Sequence, residues 1–290
     1  MQNQIVRISM LRMALVLAIA AVTMGLVLAL QFKTARAAPT ASQQVYAVTK
    51  NNRLVSFKAA KSCKLVADYA ITGMQPGEKM LGIDFRPATA ALYGIGSTSR
   101  LYTIDTGSGA ATIVGSGPIT TALASDNIGF DFNPTVDRIR LVTDSGQNLR
   151  LHPDTAAVAF IDTSLAYGGA DVNAGATPDV VGAGYTNPDV ITTTATVLYD
   201  IDATLDILVS QNPPNSGTLN TIGALGVNAK SNSGFDISLN DAYLIVTPSK
   251  DPGGNCGASQ LYTVNLGTGS ASFLGAIGTA KPIRAMAVVP

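Results

Sequence analysis

The residues best suited to bind a ligand lie in the stretch from Arg138 to Asp154, which is rich in basic and amide side chains. Alternate spacing places two basic side chains on one face of a strand and two more on one face of the next strand, with amides in the loop between them. These six residues are Arg138, Arg140, Gln147, Asn148, Arg150 and His152. Such a group could bind a carboxylate, a sulfate or a sugar, because arginine forms a bidentate fork. The alternative is that the arginines pair with neighbouring aspartates and serve packing, and those aspartates are Asp137, Asp144 and Asp154.

A second group consists of three aspartates, Asp84, Asp131 and Asp236, each of which follows a glycine and one apolar residue in a recurring motif. Equivalent residues of a repeat can converge around an axis, and three carboxylates there could hold Ca²⁺, which takes several oxygen ligands. The alternative is structural, with each aspartate accepting hydrogen bonds from the adjacent backbone. No D-x-D-x-D-G loop supports calcium, and no other cofactor is expected.

A third group combines Tyr185 and Asn187 with the polar loop Gln211–Gly217. Amide and aromatic side chains suit the recognition of sugars or peptides. Turn chemistry is the alternative, because asparagine, proline and glycine favour tight turns without any ligand.

Catalytic motifs are scarce in the chain. His152 is the one histidine, and Pro153 and Asp154 follow it in what reads as a turn, a poor setting for the base of a serine hydrolase triad. No nucleophile elbow, phosphate loop or dinucleotide fingerprint is found. A glycosidase needs two carboxylates that flank one bond, and nothing marks such a pair.

The elements that would position these residues are short strands. The chain has 290 residues, of which 47% are hydrophobic and only 13% charged, with 28 glycines and a single glutamate among its acidic residues. Aspartate and glycine favour turns, whereas glutamate favours helices, so the composition indicates an all-β protein.

Internal repeats define the architecture. The segment Leu101–Gly115 matches Leu261–Gly275 without a gap, and glycines that open a second motif recur at steps near 50 residues, at positions 82, 129, 182 and 234. A period of that size, made of about four strands, is typical of a β-propeller blade. Residues 44–71 lack an opening strand, and Ile283–Pro290 would supply it. The sequence therefore predicts five blades, with the C-terminal strand closing the first, ahead of an open solenoid or a β-sandwich.

An insertion and two cysteines lie outside the repeat. Residues 162–179 exceed the period and form a loop rich in glycine, alanine and aspartate between the third and fourth units. Cys63 and Cys256 could form a disulfide or remain separate thiols, and with one histidine they cannot build a zinc ribbon.

The first residues of the sequence have the features of a secretion signal. Residues 1–37 combine Arg7 and Arg12, an apolar run and a small-residue site before position 38, which predicts a cleaved signal peptide, with an uncleaved anchor as the alternative. We expect a short linker over 38–43, one propeller domain over 44–290, and a periplasmic or extracellular location that permits disulfides. Without residues 1–37 the net charge is −4 and no basic patch remains, which argues against nucleic acid as a partner.

Three stretches carry a resemblance to a known family. They are IGFDFNPTVDRIRLVTDSGQNLRLHPDT (128–155), VVGAGYTNP (180–188) and LVSQNPPNSGTLNTIGALG (208–226). Through them the chain resembles an exported bacterial family known as domain of unknown function 4394. The resemblance implies a propeller-like β fold outside the cytoplasm, and it carries over no catalytic residue.

These observations favour a monomeric, non-enzymatic binding or scaffold module whose partner is a small ligand, a glycan or a protein. The alternative is an exported hydrolase or lyase acting on glycans or lactones, which rests on fold analogy alone. An enzyme is expected to have an ionisable group with a strongly shifted pKa at its centre, whereas a binding module needs none.

Overall fold

The computed structural model describes residues 43–189, 194–230, 233–238, 241–248 and 256–290. The predicted signal segment lies outside the described residues, as does the predicted linker apart from Gln43. Within the described ranges, no helix is long and apolar enough to cross a membrane.

Short strands make up the described chain. The strands of the first three units, in chain order, are β1 (Gln44–Thr49), β2 (Arg53–Lys58), β3 (Leu65–Ala70), β4 (Met80–Arg86), β5 (Ala91–Gly96), β6 (Leu101–Ile104), β7 (Ala111–Ile113), β8 (Ile128–Asn133), β9 (Arg138–Thr143), β10 (Asn148–Leu151) and β11 (Val158–Ile161). The later strands are β12 (Ala166–Tyr167), β13 (Val180–Tyr185), β14 (Leu198–Asp202), β15 (Ile207–Gln211), β16 (Thr218–Ala224), β17 (Gly234–Ser238), β18 (Asp241–Val246), β19 (Gln260–Val264), β20 (Ala271–Ala276) and β21 (Ile283–Val288). The two short 3₁₀ turns among the described residues are Ala59–Lys61 and Pro214–Ser216.

The strands form five separate sheets, each one a blade, which confirms the predicted five-bladed propeller. Blades two, three and five run outward as β4-β5-β6-β7, β8-β9-β10-β11 and β17-β18-β19-β20. Blade four runs β13-β14-β15-β16 and adds β12 at its outer edge. The innermost strands β21, β4, β8, β13 and β17 each contact the next, so they close a ring.

Blade one joins the two ends of the described chain. Its order is β21-β1-β2-β3, and β21 is antiparallel to β1 with Val45 opposite Val288 and Ala47 opposite Met286. The C-terminal strand therefore supplies the opening strand that residues 44–71 lack, as the sequence predicts. Pairing at this seam removes the exposed inner edge that β1 would otherwise present.

The core lies between blades. Because successive side chains of a strand point to opposite faces and every blade has neighbours on both sides, inner strands are apolar on both faces. All seven residues of β4 are buried. One apolar cluster contains Ile95 of blade two with Phe130 and Leu149 of blade three, and equivalent clusters fill the other interfaces.

The recurring glycine of the repeat is required by close approach of neighbouring inner strands. A Cβ atom added to Gly82 would lie 2.7 Å from Cβ of Phe130, and one added to Gly129 would lie 2.6 Å from Cβ of Ala183. Gly182 meets Phe235 in the same way at 2.8 Å. In blades two, three and four, the glycine thus makes room for the apolar residue that precedes the aspartate position in the next blade.

The insertion at residues 162–179 extends blade four. Its Ala166 and Tyr167 pair in parallel with β16. Asp171 accepts hydrogen bonds from the backbone N–H of Thr221 at 2.6 Å and from its hydroxyl at 2.7 Å. The insertion therefore covers the outer edge of a blade, in addition to forming a surface loop.

Cys63 and Cys256 form a disulfide between the loop after β2 and the segment before β19, with their Cα atoms 5.4 Å apart. Around it, the Ser62 hydroxyl donates to the Ala276 carbonyl at 2.8 Å, and the Gly278 N–H donates to the Ser62 carbonyl at 3.1 Å. The first and fifth blades are thus tied covalently as well as through the ring.

Candidate functional site

The three repeated aspartates meet at the axis of the propeller. Asp84, Asp131 and Asp236 lie on the innermost strands β4, β8 and β17, and all three are buried. One carboxylate oxygen of each lies within 4.8 Å of the others. The sequence repeat therefore brings together, at one level of the ring, three acidic groups that are far apart along the chain.

Each of these carboxylates bonds the inner strand of the following blade. Asp84 Oδ2 accepts from the Phe132 N–H at 2.8 Å, Asp131 Oδ1 from the Tyr185 N–H at 3.0 Å, and Asp236 Oδ2 from the Val288 N–H at 2.5 Å. These N–H groups lie on the axial side of an innermost strand, where no further strand can pair with them, and a buried N–H without a partner is costly. The carboxylates supply the missing acceptors.

The two blades without an aspartate complete the pattern. Gly184 and Ala287 precede Tyr185 and Val288, at the position that aspartate occupies in the other blades. The next blades along the ring satisfy their own N–H groups instead: Phe85 N–H donates to Asp84 Oδ1 at 2.7 Å and Ile237 N–H donates to Asp236 Oδ1 at 2.5 Å. Three carboxylates thus serve one backbone N–H in each of the five blades.

Burial raises the pKa of all three carboxyls. It raises the pKa of Asp236 to about 7, although the N–H bonds from Val288 and Ile237 act in the opposite direction. For Asp84 and Asp131 the pKa is raised well above the usual range by burial and by the neighbouring carboxylates. The axis therefore retains protons at a pH where ordinary aspartates are ionised.

The space beside the carboxylates is small. Its volume is about 10 Å³, and its walls include Phe132, Tyr185 and Pro290. That is the room of one water molecule or one ion. A cation would have to share its ligand oxygens with the backbone N–H donors, so the hydrogen bonds support the structural role and Ca²⁺ stays a prediction.

A second axial space lies at the level of the repeated glycines. It has a volume of about 20 Å³ and is lined by glycine and apolar residues together with Ser233 and Arg284. Burial lowers the pKa of Arg284, whose Nη1 donates to the Met80 carbonyl at 3.2 Å. The sequence did not point to Arg284, because the strand that contains it is recognisable only as the strand that completes blade one and carries no polar motif.

Arg140 and Arg150 meet at a shared carboxylate between blades three and four. Arg140 is 2% exposed, and its Nη1 lies 2.7 Å from Asp162 Oδ2. Arg150 forms a bidentate pair with the same residue, at 2.7 Å from Nε to Oδ2 and 2.8 Å from Nη2 to Oδ1. Burial alone would raise the pKa of Asp162, but the hydrogen bonds from the two arginines outweigh it and lower that pKa.

The Arg140 guanidinium donates hydrogen bonds to three more groups. It donates to Asn148 Oδ1 at 2.7 Å, to Asn215 Oδ1 at 2.8 Å and to the Tyr185 hydroxyl at 3.3 Å. Four residues of the predicted ligand set, Arg140, Asn148, Arg150 and Tyr185, therefore converge, but they are turned toward one another inside a blade interface.

The carboxylate partners differ from those that the sequence suggested. Packing partners were expected at Asp137, Asp144 and Asp154, but Arg140 and Arg150 bind Asp162, the first residue of the insertion. Asp137 and Asp154 instead bind Arg86 of blade two, at 2.5 Å and 2.6 Å. Residues far apart along the chain meet here because neighbouring blades pack face to face, and local spacing holds no signal of it.

The remaining predicted residues bond the backbone of loops: Gln147 reaches the segment before β8, and the other three bond the loop that they lie in or beside. Arg138 donates to the Asp137 carbonyl at 2.8 Å, and His152 Nδ1 accepts from the Asp154 N–H at 3.2 Å. Gln147 Nε2 donates to the Ala122 carbonyl at 2.9 Å, and Asn187 Nδ2 donates to the Ala195 carbonyl at 2.6 Å. None of these contacts joins the network around Arg140.

Asp200 and Gln211 lie in the same interface as Arg140. Both carboxylate oxygens of Asp200 and the Oε1 atom of Gln211 are buried without a hydrogen-bond partner among the described residues. Burial raises the pKa of Asp200 to about 8, against the opposing charge of Arg140. The proton that Asp200 holds near neutral pH lets it act as a donor as well as an acceptor.

Larger spaces lie on the outside of the ring. One groove, of about 360 Å³, lies where blade one meets the segment between β20 and β21, and its walls include Arg53, Asp68 and Lys281. Another, of about 410 Å³, is lined by Lys230, Gln260 and Tyr262 among the described residues. Ligand pockets commonly have volumes of about 300–1,000 Å³.

A family model described as domain of unknown function (DUF4394) matches residues 40–287. No curated protein matches the chain. Similar solved structures include a nidogen/laminin complex, at 10% identity, 86% coverage of this chain, 98% of that chain and a TM-score of 0.46. Another is a Bacteroides thetaiotaomicron protein of unknown function, at 15% identity, 84% and 61% coverage and a TM-score of 0.47. PorZ, a surface component of the type-IX secretion system of Porphyromonas gingivalis, has 14% identity, 83% and 27% coverage and a TM-score of 0.40.

Proposed function

The chain belongs to the family described as domain of unknown function (DUF4394), and on that premise we propose that it is an exported, monomeric binding or scaffold module. Its partner is a small ligand, a glycan or a protein, and nucleic acid is not among the partners. The Cys63–Cys256 disulfide supports export, because disulfides persist in oxidising compartments.

The observation that carries this proposal is the distribution of space. The axial cavities have volumes of about 10 and 20 Å³, whereas the outer groove beside blade one has about 360 Å³. An organic molecule fits the outer groove and is too large for either axial cavity. The polar groups around Asp131 and around Arg140 are buried and bond the protein itself, where they hold blades together.

A hydrolase or lyase is the second candidate, because the axial carboxylates have the raised pKa values that an enzyme uses. Here those values have a structural origin, in burial and in mutual repulsion. Substrate access to Asp131 would require the inner strands to separate, which would break the N–H bonds that the carboxylates accept.

The two functions are separated by recovering the ligand. The full chain, exported by a bacterial host so that the disulfide forms, is screened by thermal shift against glycans, peptides, lactones and small acids. Each compound that raises Tm is then incubated with the protein and recovered by mass spectrometry. We expect intact compounds. Cleaved product in the presence of wild-type protein, and its loss in an Asp131→Asn variant whose circular dichroism matches that of the wild type, would establish the enzyme instead.

A further inference from the structure

The groove beside blade one, here called the seam groove, has walls with the chemistry of a ligand site. Its polar side chains come from β1, the turn after it, β2, β3 and the segment before β21, and they are Thr49, Asn51, Arg53, Asp68, Thr279 and Lys281. Leu65 adds a partly exposed apolar surface. A few polar groups beside an apolar surface, in a concave space of about 360 Å³, are what small-molecule sites present.

The charges of the seam groove favour an anion. Arg53 Nε donates to Asp68 Oδ1 at 2.6 Å and Nη2 donates to the Asp68 carbonyl at 3.1 Å, so the guanidinium is held in one orientation across two strands. Its side chain is still 38% exposed. Lys281 adds a second, exposed cation, so two positive groups face one carboxylate and the net charge of the walls is positive.

Neutral groups of the seam groove suit hydroxyls. The Thr49 hydroxyl donates to Asn51 Oδ1 at 2.7 Å, which orients the exposed amide so that its Nδ2 can donate to another acceptor. Thr279 lies on the facing wall, with its hydroxyl bonded to the Lys281 carbonyl at 2.9 Å. The exposed Asn51 amide beside the two cations can recognise a molecule that carries both hydroxyls and a carboxylate.

The wall that carries Thr279 and Lys281 is fixed in place. A Cβ atom at Gly278 would lie only 2.1 Å from the Cys63 carbonyl oxygen, so the backbone is pressed against the loop that the disulfide anchors. A site that is rigid before binding loses less conformational entropy when the ligand arrives.

We propose that the seam groove binds an acidic sugar of mono- or disaccharide size. The carboxylate of the sugar lies between Arg53 and Lys281. The hydroxyls of the sugar form hydrogen bonds with Asn51 and Asp68, and the apolar face of its ring packs on Leu65. This proposal rests on the binding function above and gives it a ligand class and a place on the molecule.

The test is calorimetric titration of the exported, disulfide-bonded full chain with galacturonic acid, its disaccharide and neutral galactose. Each acid should bind at least tenfold more tightly than galactose. Arg53→Gln and Lys281→Gln should each weaken binding of the acids about tenfold, since each removes one charge-assisted hydrogen bond. Lys79→Gln is the matched control, because Lys79 is an exposed lysine paired with Asp126 outside the groove, and it should leave affinity unchanged.

Several results would overturn the proposal. Equal affinity for acid and galactose would remove the role of the cations, and unchanged affinity in both glutamine variants would place the ligand elsewhere. Failure of the wild-type chain to bind either acid would also refute it. If the broad thermal-shift screen still yields intact ligands in any of these cases, the binding function stands and only the seam groove is wrong.

Discussion

Asp162→Asn tests whether the network between blades three and four stabilises the fold. The substitution keeps the shape of the side chain but removes the charge that Arg140 and Arg150 share. Removing one partner of a buried ion pair costs about 3–5 kcal/mol, because the other charge stays buried without compensation. Arg140 keeps Asn148, Asn215 and Tyr185 as acceptors and Arg150 is partly exposed, so the lower end applies, at about 3 kcal/mol.

For a domain of this size, a loss of that magnitude corresponds to a fall in Tm of about 6–12 °C. The assay is thermal and urea unfolding of the disulfide-bonded protein, followed by circular dichroism. Asp126→Asn is the matched control, since it breaks an exposed pair with Lys79 and should leave Tm almost unchanged. Arg150→Gln combined with Asp162→Asn should destabilise less than the sum of the single changes, because the two residues share one interaction.

A fall in Tm for Asp162→Asn no larger than that for Asp126→Asn would refute a stabilising role for this network. A strictly additive double variant would show that Arg150 and Asp162 act independently, against the bidentate contact.

Three further changes have defined outcomes. Gly129→Ala should lower the free energy of unfolding in a urea titration by about 1–3 kcal/mol, because the new Cβ atom would lie 2.6 Å from Cβ of Ala183. Gly169→Ala is the control: its new Cβ atom meets no atom within 4 Å, so it should leave the free energy of unfolding unchanged. The pKa of Asp200 is raised to about 8 in the folded state, so its contribution to stability is complete below its unfolded pKa of about 3.9 and is lost as pH rises through 8. Urea titrations from pH 5 to 9 should therefore show a decline in the free energy of unfolding, and Asp200→Asn should reduce that decline. An identical pH profile in the variant would contradict this. Replacing Cys63 and Cys256 with serine should cost about 2–5 kcal/mol, and a reducing agent should lower the Tm of the wild type but not of the variant, unless the bridge contributes nothing.

The ring of blades was predictable from the sequence because the features that build it are short motifs that recur along the chain. Gly82 and Asp84 recur with the same spacing in other blades, and the missing opening strand is visible at residues 44–71. The placement of Asp84, Asp131 and Asp236 near one another followed from the same symmetry. What symmetry could not supply is the partner of each carboxylate, since those N–H groups belong to the following blade.

The network around Arg140 was only half predictable. Alternation along β9 and β10 places Arg140 opposite Arg150, as the register shows. Asp162, from the insertion, and Asn215, from a loop of another blade, contact these arginines. No spacing in the sequence predicts those contacts. The same limit hid the seam groove, because its walls come from both ends of the propeller domain and meet only after the ring closes.

Closure of blade one also sets an order of events during synthesis. Strands β1, β2 and β3 are made first, and β21, which completes their sheet, is made last. Until β21 is available, one edge of β1 stays open, and open strand edges are the sites where chains pair wrongly. The other four blades can assemble as they emerge, but the ring itself is finished in a single late step. A chain truncated before Ile283 would therefore lose far more than one strand, since it would keep an open edge beside a ring that cannot close.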